Sequence, residues 1–142
     1  MKVFVVDASV VLEWFFPENH STAARRLLDA AYQYVAPDLL FAEVGNAVWK
    51  RVRRGELSGD EGRQLIDAMA DAAVETIPTR GLISDACAIA IASGQTVYDS
   101  TYLALAVCLD TRVITADQRF HTGVSGNRVL ASHICMVDAF SP

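Results

Sequence analysis

The chain has 142 residues, 52% hydrophobic and 20% charged, which predicts one domain over residues 1–142 and excludes disorder as its main state. It contains no run of the ~20 apolar residues that a membrane-spanning helix needs and no secretory signal, so we expect a cytoplasmic protein. The net charge of −5 repels phosphate, so contact with nucleic acid would require a local basic patch or a metal ion.

Strands and helices alternate along the first half of the sequence. In chain order the pattern predicts a buried strand over Lys2–Asp7, a helix from Ser9 to Pro17, a helix with the apolar face Ala24, Leu27, Leu28 and Ala31, and a strand over Tyr34–Ala36. Asp38 is then placed to cap a long helix through Arg54, which Gly55 ends.

The second half continues the alternation. Ser58 and Glu61 form a predicted capping box that opens the next helix. The pattern then predicts a strand over Val74–Ile77, a helix over Leu82–Ala90 that Gly94 ends, and a helix that begins at Asp99. Towards the C-terminus it predicts a strand over Arg112–Thr115, a mobile loop over Thr122–Arg128 and a strand within His133–Val137. This order predicts an α/β fold with a mainly parallel sheet.

The cysteines and the aromatic residues near the N-terminus are predicted to be structural. Cys87, Cys108 and Cys135 are odd in number and lie in apolar surroundings, which favours buried reduced thiols. The run Trp14–Phe16 is expected in the core, although an exposed part of it would suit a protein partner.

Four acids are difficult to explain by solvation alone. Asp7 and Asp117 each end a predicted strand, where parallel sheets bind ligands, although an Asp there can also cap the following turn. Asp99 begins an apolar helix, and capping explains it as well. Glu43 lies in an apolar helix and shares its face with Asn46 and Lys50, so it either faces water or, if buried, requires a cation.

If the four acids converge, their charges repel one another unless a cation lies between them. Oxygen-only ligands favour Mg²⁺ or Mn²⁺. Such an ion polarises a phosphodiester and activates water, and it turns an acidic site into a phosphate receptor.

The segments VVDASV, EVGNAV, YDSTYLALA and VITADQRF resemble the PIN-domain family and, within it, VapC-type toxins of toxin–antitoxin pairs. The resemblance covers roughly Lys2 to Val137. It implies a three-layer α/β/α sandwich with a short parallel sheet, and an Mg²⁺- or Mn²⁺-dependent endoribonuclease. It also implies a homodimer and a VapB-type antitoxin that covers the acidic site.

The resemblance further implies which residues act. The catalytic and metal-binding acids would be Asp7, Glu43, Asp99 and Asp117, supported by Ser9, Asn46 and Thr115, although Ser9 is equally well explained as a helix cap. RNA contact is predicted for a basic cluster, Lys50, Arg51, Arg53 and Arg54, with Arg80, Arg112 and Arg119 as possible additions. The cluster is equally explained as a solvated helix end whose cations complement the helix dipole.

Two other functions remain open at this point. A phosphoryl-transfer enzyme of the haloacid-dehalogenase type also begins with a strand and an Asp, but it needs a second Asp two residues later, where this chain has Ser9. The alternative is a catalytically weak module that acts through a protein partner. Stabilisation by Mg²⁺ or Mn²⁺ separates this module from the nuclease.

Overall fold

A computed structural model of the chain describes residues 2–16 and 20–141. Its parallel sheet has the order β3-β2-β1-β4-β5, with β1 (Val3–Val6), β2 (Gln33–Pro37), β3 (Val74–Ile77), β4 (Val113–Thr115) and β5 (Ile134–Met136). Val5 in the central strand lies opposite Val35 in β2 and Val113 in β4. Because the strands are parallel, their carboxyl ends share one edge of the sheet, and Asp7 follows β1 there.

Helices flank this sheet, and the predicted three-layer α/β/α class is confirmed. The helices are α1 (Ala8–Phe15), α2 (Ser21–Asp29), α3 (Leu39–Arg53), α4 (Gly59–Ala70), α5 (Ile83–Ser93), α6 (Val97–Cys108), α7 (Gln118–Ser125) and α8 (Arg128–Ala131). Short 3₁₀ turns cover Thr79–Leu82 and Val137–Ala139. None of the helices in the described part of the chain has the length and apolarity to cross a membrane.

The core is centred on β1 and α6. Val5 and Val6 are fully buried, as a strand covered on both faces requires. Residues 100–106 of α6 are buried without interruption, which explains why this helix is apolar on every side. The same helix carries Asp99 in its first turn, so the most deeply packed helix delivers one of the four acids to the edge of the sheet.

Local signals at the helix ends are mostly confirmed. Gly55 and Gly94 follow α3 and α5 with φ near +76°, where a residue without Cβ avoids strain. The Ser58–Glu61 capping box is present at the start of α4. Asp38 is different, because its side chain does not cap α3. Its Oδ1 instead accepts hydrogen bonds from the backbone N–H and the hydroxyl of Thr79.

Two predictions about packing are wrong, namely the extent of the buried face of α2 and the burial of Cys87 and Cys108. Leu28 is 52% exposed and Ala31 is exposed as well, because α2 ends at Asp29 and buries only one side of its apolar face. Cys87 and Cys108 are exposed thiols on helix surfaces, and Cys135 is half-buried. Cys87 and Cys108 lie in apolar helices but on their exposed sides, whereas Cys135 packs against the core.

The segment predicted to be a mobile loop is helical. α7 continues to Ser125, and Asn127 then caps α8 by accepting hydrogen bonds from the N–H groups of Val129 and Leu130. The Gly and Ser residues of the segment therefore lie within and between two short helices. The predicted end of the first helix at Pro17 lies outside the described residues.

Candidate active site

Asp7 is a buried acid held by two hydroxyl groups. It follows β1 and is 6% exposed. Its Oδ1 accepts a hydrogen bond of 2.5 Å from Ser9, and its Oδ2 accepts one of 2.5 Å from Thr115. It also caps α1, where Val10 N–H donates to Oδ1 at 3.3 Å. Burial raises the pKa of Asp7 to about 7 against the opposing effect of these hydrogen bonds, and the charge of Asp99 adds to the rise.

Ser9 and Thr115 connect the ends of β1 and β4. Ser9 Oγ lies 3.3 Å from Thr115 Oγ1 and accepts a hydrogen bond of 2.9 Å from the N–H of Ala116. Thr115 Oγ1 accepts a 3.0 Å bond from the N–H of Asp117. The two residues predicted to support the acids are therefore fixed by the backbone and in turn fix both oxygens of Asp7.

Asp99 is not the cap of α6. Thr96 takes that position, and its Oγ1 accepts a hydrogen bond of 3.1 Å from the N–H of Asp99. The carboxyl group of Asp99 is therefore not needed to begin the helix. Burial raises the pKa of Asp99, and the negative charge of Asp117 raises it further.

Glu43 is half-buried in α3 and has one strong partner. Tyr102 in α6 donates a hydrogen bond of 2.7 Å to its Oε1. Burial raises the pKa of Glu43, the hydrogen bond from Tyr102 opposes this, and the charge of Asp99 adds to the rise. Burial and the adjacent Glu43 also raise the pKa of Tyr102, so the phenol remains a donor.

Tyr102 is a site residue that the sequence analysis missed. It is 1% exposed and lies three residues after Asp99, on the same side of α6. This spacing from a suspected acid, within YDSTY, was the available signal. Its identification needed the packing of α6 near α3, because a buried Tyr in an apolar helix otherwise indicates core alone.

Asp117 combines both roles considered for it. It is exposed, two residues after the end of β4. Its Oδ1 caps α7 by accepting hydrogen bonds from the N–H groups of Arg119 and Phe120. Its charge nevertheless reaches Asp99. Capping therefore holds Asp117 at the rim of the site.

The predicted site residues thus converge on the carboxyl edge of the sheet, with Asp99 as the common neighbour of the other acids. Asn46 is the exception, since it is exposed on α3 and has no hydrogen-bond partner within residues 2–16 and 20–141. In these same ranges no three His, Cys, Asp or Glu side chains are already grouped as metal ligands.

The chemistry of the acids nevertheless fits a hard divalent cation. The donor atoms are all oxygens, and three of the four carboxyl groups have pKa values raised by burial and by one another. Within residues 2–16 and 20–141, Asp7 and Glu43 accept hydrogen bonds only from neutral groups, which are hydroxyls and, for Asp7, also the backbone N–H of Val10. These donors place the carboxyl oxygens without neutralising their charge. A cation among them would favour the charged carboxylates, which burial and, to a smaller extent, mutual repulsion disfavour.

The basic cluster lies at the end of α3. Lys50, Arg53 and Arg54 are exposed. The guanidinium of Arg51 lies 3.9 Å from the centre of the Phe16 ring and 3.6 Å from a carboxyl oxygen of Glu56. Arg112 is excluded from the site, because it precedes β4 at the opposite edge of the sheet and packs over the rings of Phe4 and Phe140.

A model of the PIN domain family matches residues 4–122 of the chain. The ribonuclease VapC3 of Pyrobaculum aerophilum is 34% identical over 117 residues, which cover 81% of this chain and 89% of that protein. The ribonuclease VapC1 of Mycobacterium tuberculosis is 31% identical over 119 residues, or 84% of this chain and 89% of that protein.

Solved structures resemble the fold. VapC20 of Mycobacterium tuberculosis, a toxin that cleaves the sarcin–ricin loop, matches with a TM-score of 0.65 at 15% identity over 84% of this chain and 93% of that chain. A toxin–antitoxin complex from Klebsiella pneumoniae matches with a TM-score of 0.64 at 15% identity over 96% of this chain and 98% of that chain. The chain belongs to the PIN domain family, and its curated relatives within that family are VapC proteins.

Proposed function

We propose that the chain is a divalent-metal-dependent endoribonuclease that acts as the toxin of a VapBC-type toxin–antitoxin pair. The observation that carries the proposal is the convergence of acids at one edge of the sheet. Burial and mutual charge raise the pKa values of Asp7, Glu43 and Asp99. The described groups that donate hydrogen bonds to Asp7 and Glu43 are neutral. The similarity to proteins named ribonuclease VapC supports RNA as the substrate class.

Asp7, Glu43, Asp99 and Asp117 are the residues that would hold Mg²⁺ or Mn²⁺. When bound, such an ion supplies positive charge to the phosphodiester and lowers the pKa of water. The protein supplies the placement of the ligands. Ser9 and Thr115 fix the two oxygens of Asp7, and Tyr102 fixes Oε1 of Glu43.

RNA would approach along the basic cluster at the end of α3. Lys50, Arg51 and Arg54 lie on the helix that also carries Glu43, so cations that bind backbone phosphate adjoin the acids. Asn46 is exposed and lies three residues after Glu43 in α3, so we propose that its side chain contacts the bound RNA.

The proposed partner is a VapB-type antitoxin. The structures that resemble the chain include toxin–antitoxin complexes from Klebsiella pneumoniae and, bound to promoter DNA, from Rickettsia felis. The homodimer implied by the family resemblance stays a prediction. It is favoured by Ile83, Cys87 and Ile91, which recur every four residues on an exposed face of α5.

Cleavage of structured and single-stranded RNA by the purified chain tests the proposal. We expect cleavage in Mg²⁺ or Mn²⁺, none in EDTA, and none by the Asp99→Asn variant in either condition. A chain that binds its antitoxin but cuts no RNA with either ion would instead be the protein-interaction module considered above.

A further inference from the structure

A cavity of about 260 Å³ lies between α1, α3 and the end of β4 and is lined by Ser9, a hydrogen-bond partner of Asp7. Ser9 and Ala116 form one wall, and Leu12 and Ala47 contribute apolar surface. Ser9 donates a hydrogen bond of 2.5 Å to Asp7 and accepts one from the N–H of Ala116. A ligand in this cavity therefore contacts the residue that positions the buried acid.

Glu13 in α1 lines the same cavity and has no part in the chemistry proposed above. It is 5% exposed, and the hydroxyl of Ser21 donates a hydrogen bond of 2.7 Å to its Oε2. Within residues 2–16 and 20–141, Ser21 is the only hydrogen-bond partner of the Glu13 side chain. Ser21 thus holds the carboxyl group in place, while Oε1 and the second lone pair of Oε2 can still accept hydrogen bonds.

The remaining lining is cationic. Among the described residues that line this cavity, Lys50, Arg51 and Arg54 are cations and Glu13 is the one acid, while Arg51 also lies 3.6 Å from a carboxyl oxygen of Glu56. This local excess of positive charge contrasts with the net charge of −5 for the whole chain. Cations of this kind bind backbone phosphate, and they do so without reading the base.

We propose that this cavity is a binding subsite for one nucleotide of the RNA strand, next to the phosphodiester at Asp7, and that Glu13 reads its base. The inference rests on the proposed ribonuclease function. The volume is below the ~300–1,000 Å³ of sites for drug-sized ligands, so it suits a single base. The basic side chains bind phosphate, while the apolar wall contacts the face of the base.

The chemistry of Glu13 selects among the bases. A carboxylate only accepts hydrogen bonds, and the Watson–Crick edge of an unpaired base is the surface that proteins read in single-stranded RNA. Guanine is the base that offers two adjacent N–H donors there, from N1 and N2. Adenine places an acceptor at N1, which a carboxylate repels. The subsite therefore favours guanosine over adenosine.

Titration of the metal-free protein in EDTA with guanosine and adenosine 5′-monophosphates tests the subsite without requiring cleavage. We expect guanosine monophosphate to bind about tenfold more tightly, and Glu13→Gln, which can still accept from Ser21, to remove this preference. Glu75→Gln, the same change at the exposed edge strand β3, should leave both affinities unchanged. Equal binding of both nucleotides, or a preference that survives Glu13→Gln, overturns the proposal.

A second variant covers the case in which Glu13→Gln does not fold. Lys50→Gln should weaken both nucleotides by a similar factor, because it removes a phosphate contact and no base contact. Unchanged binding by this variant overturns the proposal.

Sequencing of RNA ends then separates the subsite from the catalytic function. In wild-type digests we expect guanosine at a fixed position beside the cut, with the ratio of guanosine to adenosine falling about tenfold in Glu13→Gln. Guanosine-selective binding without any cleavage would contradict the proposed function but retain the subsite. Cleavage with an unchanged ratio, accompanied by loss of antitoxin binding in Glu13→Gln, would assign the cavity to the protein partner and overturn the subsite.

Discussion

Carboxyl groups of the candidate site, the inner region, and carboxyl groups on the exposed surface, the outer region, experience opposite environments. Asp38 and Glu61 are exposed, and hydrogen bonds from Thr79 and from Ser58 lower their respective pKa values. Asp7 and Glu43 are buried or half-buried, and burial raises their pKa values. The outer acids are matched to backbone donors and are structural, whereas the inner acids need a cation to carry their full charge.

The largest expected difference between the two regions is catalytic. Glu43→Gln should lower the rate of RNA cleavage by at least about 100-fold, because it removes a charged ligand. Glu61→Gln is the matched control and should leave the rate unchanged, since Gln also completes a capping box. Initial rates in Mg²⁺ measure both. Equal rates in the two variants would remove the catalytic distinction between the regions.

The stability of the metal-free protein should fall as pH rises from about 4 to about 7. Asp7 has a folded pKa of about 7 against an ordinary value of 3.8, so the folded state binds more protons than the unfolded state in this interval. The corresponding change in the free energy of unfolding is on the order of 4 kcal/mol. The pKa values of Glu43 and Asp99 are raised as well and act in the same direction.

Urea unfolding in EDTA at a series of pH values measures this slope. Asp7→Asn should flatten it, because the variant has no proton to lose at that position. Asp38 and Glu61 act in the opposite sense, because their pKa values are lowered in the folded state. Their contribution to stability is present above the ordinary pKa of a carboxyl group and is lost as the pH falls through the lowered folded-state pKa values. If the wild-type protein instead gains stability from pH 4 to 7, as expected when acids with lowered folded-state pKa values dominate, this account of Asp7 is contradicted.

Loss of a single hydroxyl distinguishes the inner region from the core. Tyr102→Phe should cost about 1 kcal/mol of stability and lower the cleavage rate ~10–100-fold, because Glu43 loses the donor that positions it. Tyr34 is a matched control, since it is also buried and donates a hydrogen bond of 2.6 Å to the carbonyl of Leu27. Tyr34→Phe should cost a similar amount of stability at unchanged activity. Equal activity of the two variants would mean that Tyr102 only packs.

The smallest effect is expected in the outer region. Ser58→Ala removes the cap of α4 and should lower the free energy of unfolding by about 1 kcal/mol. Because the capping box lies apart from the acids, the rate of RNA cleavage below the melting temperature should not change. Thermal melts and initial rates of the same preparation measure both quantities. A loss of activity here would show that the two regions are coupled.

The sequence predicted the features that depend on local chemistry. The strand over Val74–Ile77, the capping box and the glycines after α3 and α5 each follow from residues within a few positions of one another. The acids were found because each is out of place locally, at the end of an apolar strand or within an apolar helix. The parallel order of the strands brings Asp7 and Asp117 to one edge of the sheet, whereas the positions of Glu43 and Asp99 depend on the packing of α3 and α6.

Features that depend on which neighbour covers a surface were not predicted. The pattern predicts an amphipathic helix for α5, but its apolar residues extend beyond the buried face, so the pattern did not show that Cys87 and Ile91 would face outward. Asp38 has the position of a helix cap, but Thr79, 41 residues later, competes for its carboxyl group. The role of Tyr102 likewise depends on the packing of α6 near α3. Periodicity identifies an apolar face but not the partner of that face.

Thermal unfolding with Asp99→Asn and Mn²⁺ tests most directly whether the inner acids are arranged for a cation. In EDTA the variant should melt at the wild-type temperature or above, because it relieves repulsion and Thr96 retains the cap of α6. Mn²⁺ should stabilise the wild type, by about 3 kcal/mol at 100 times its Kd, and the variant far less. A wild type that Mn²⁺ does not stabilise, together with a variant that melts clearly lower in EDTA, would contradict the account.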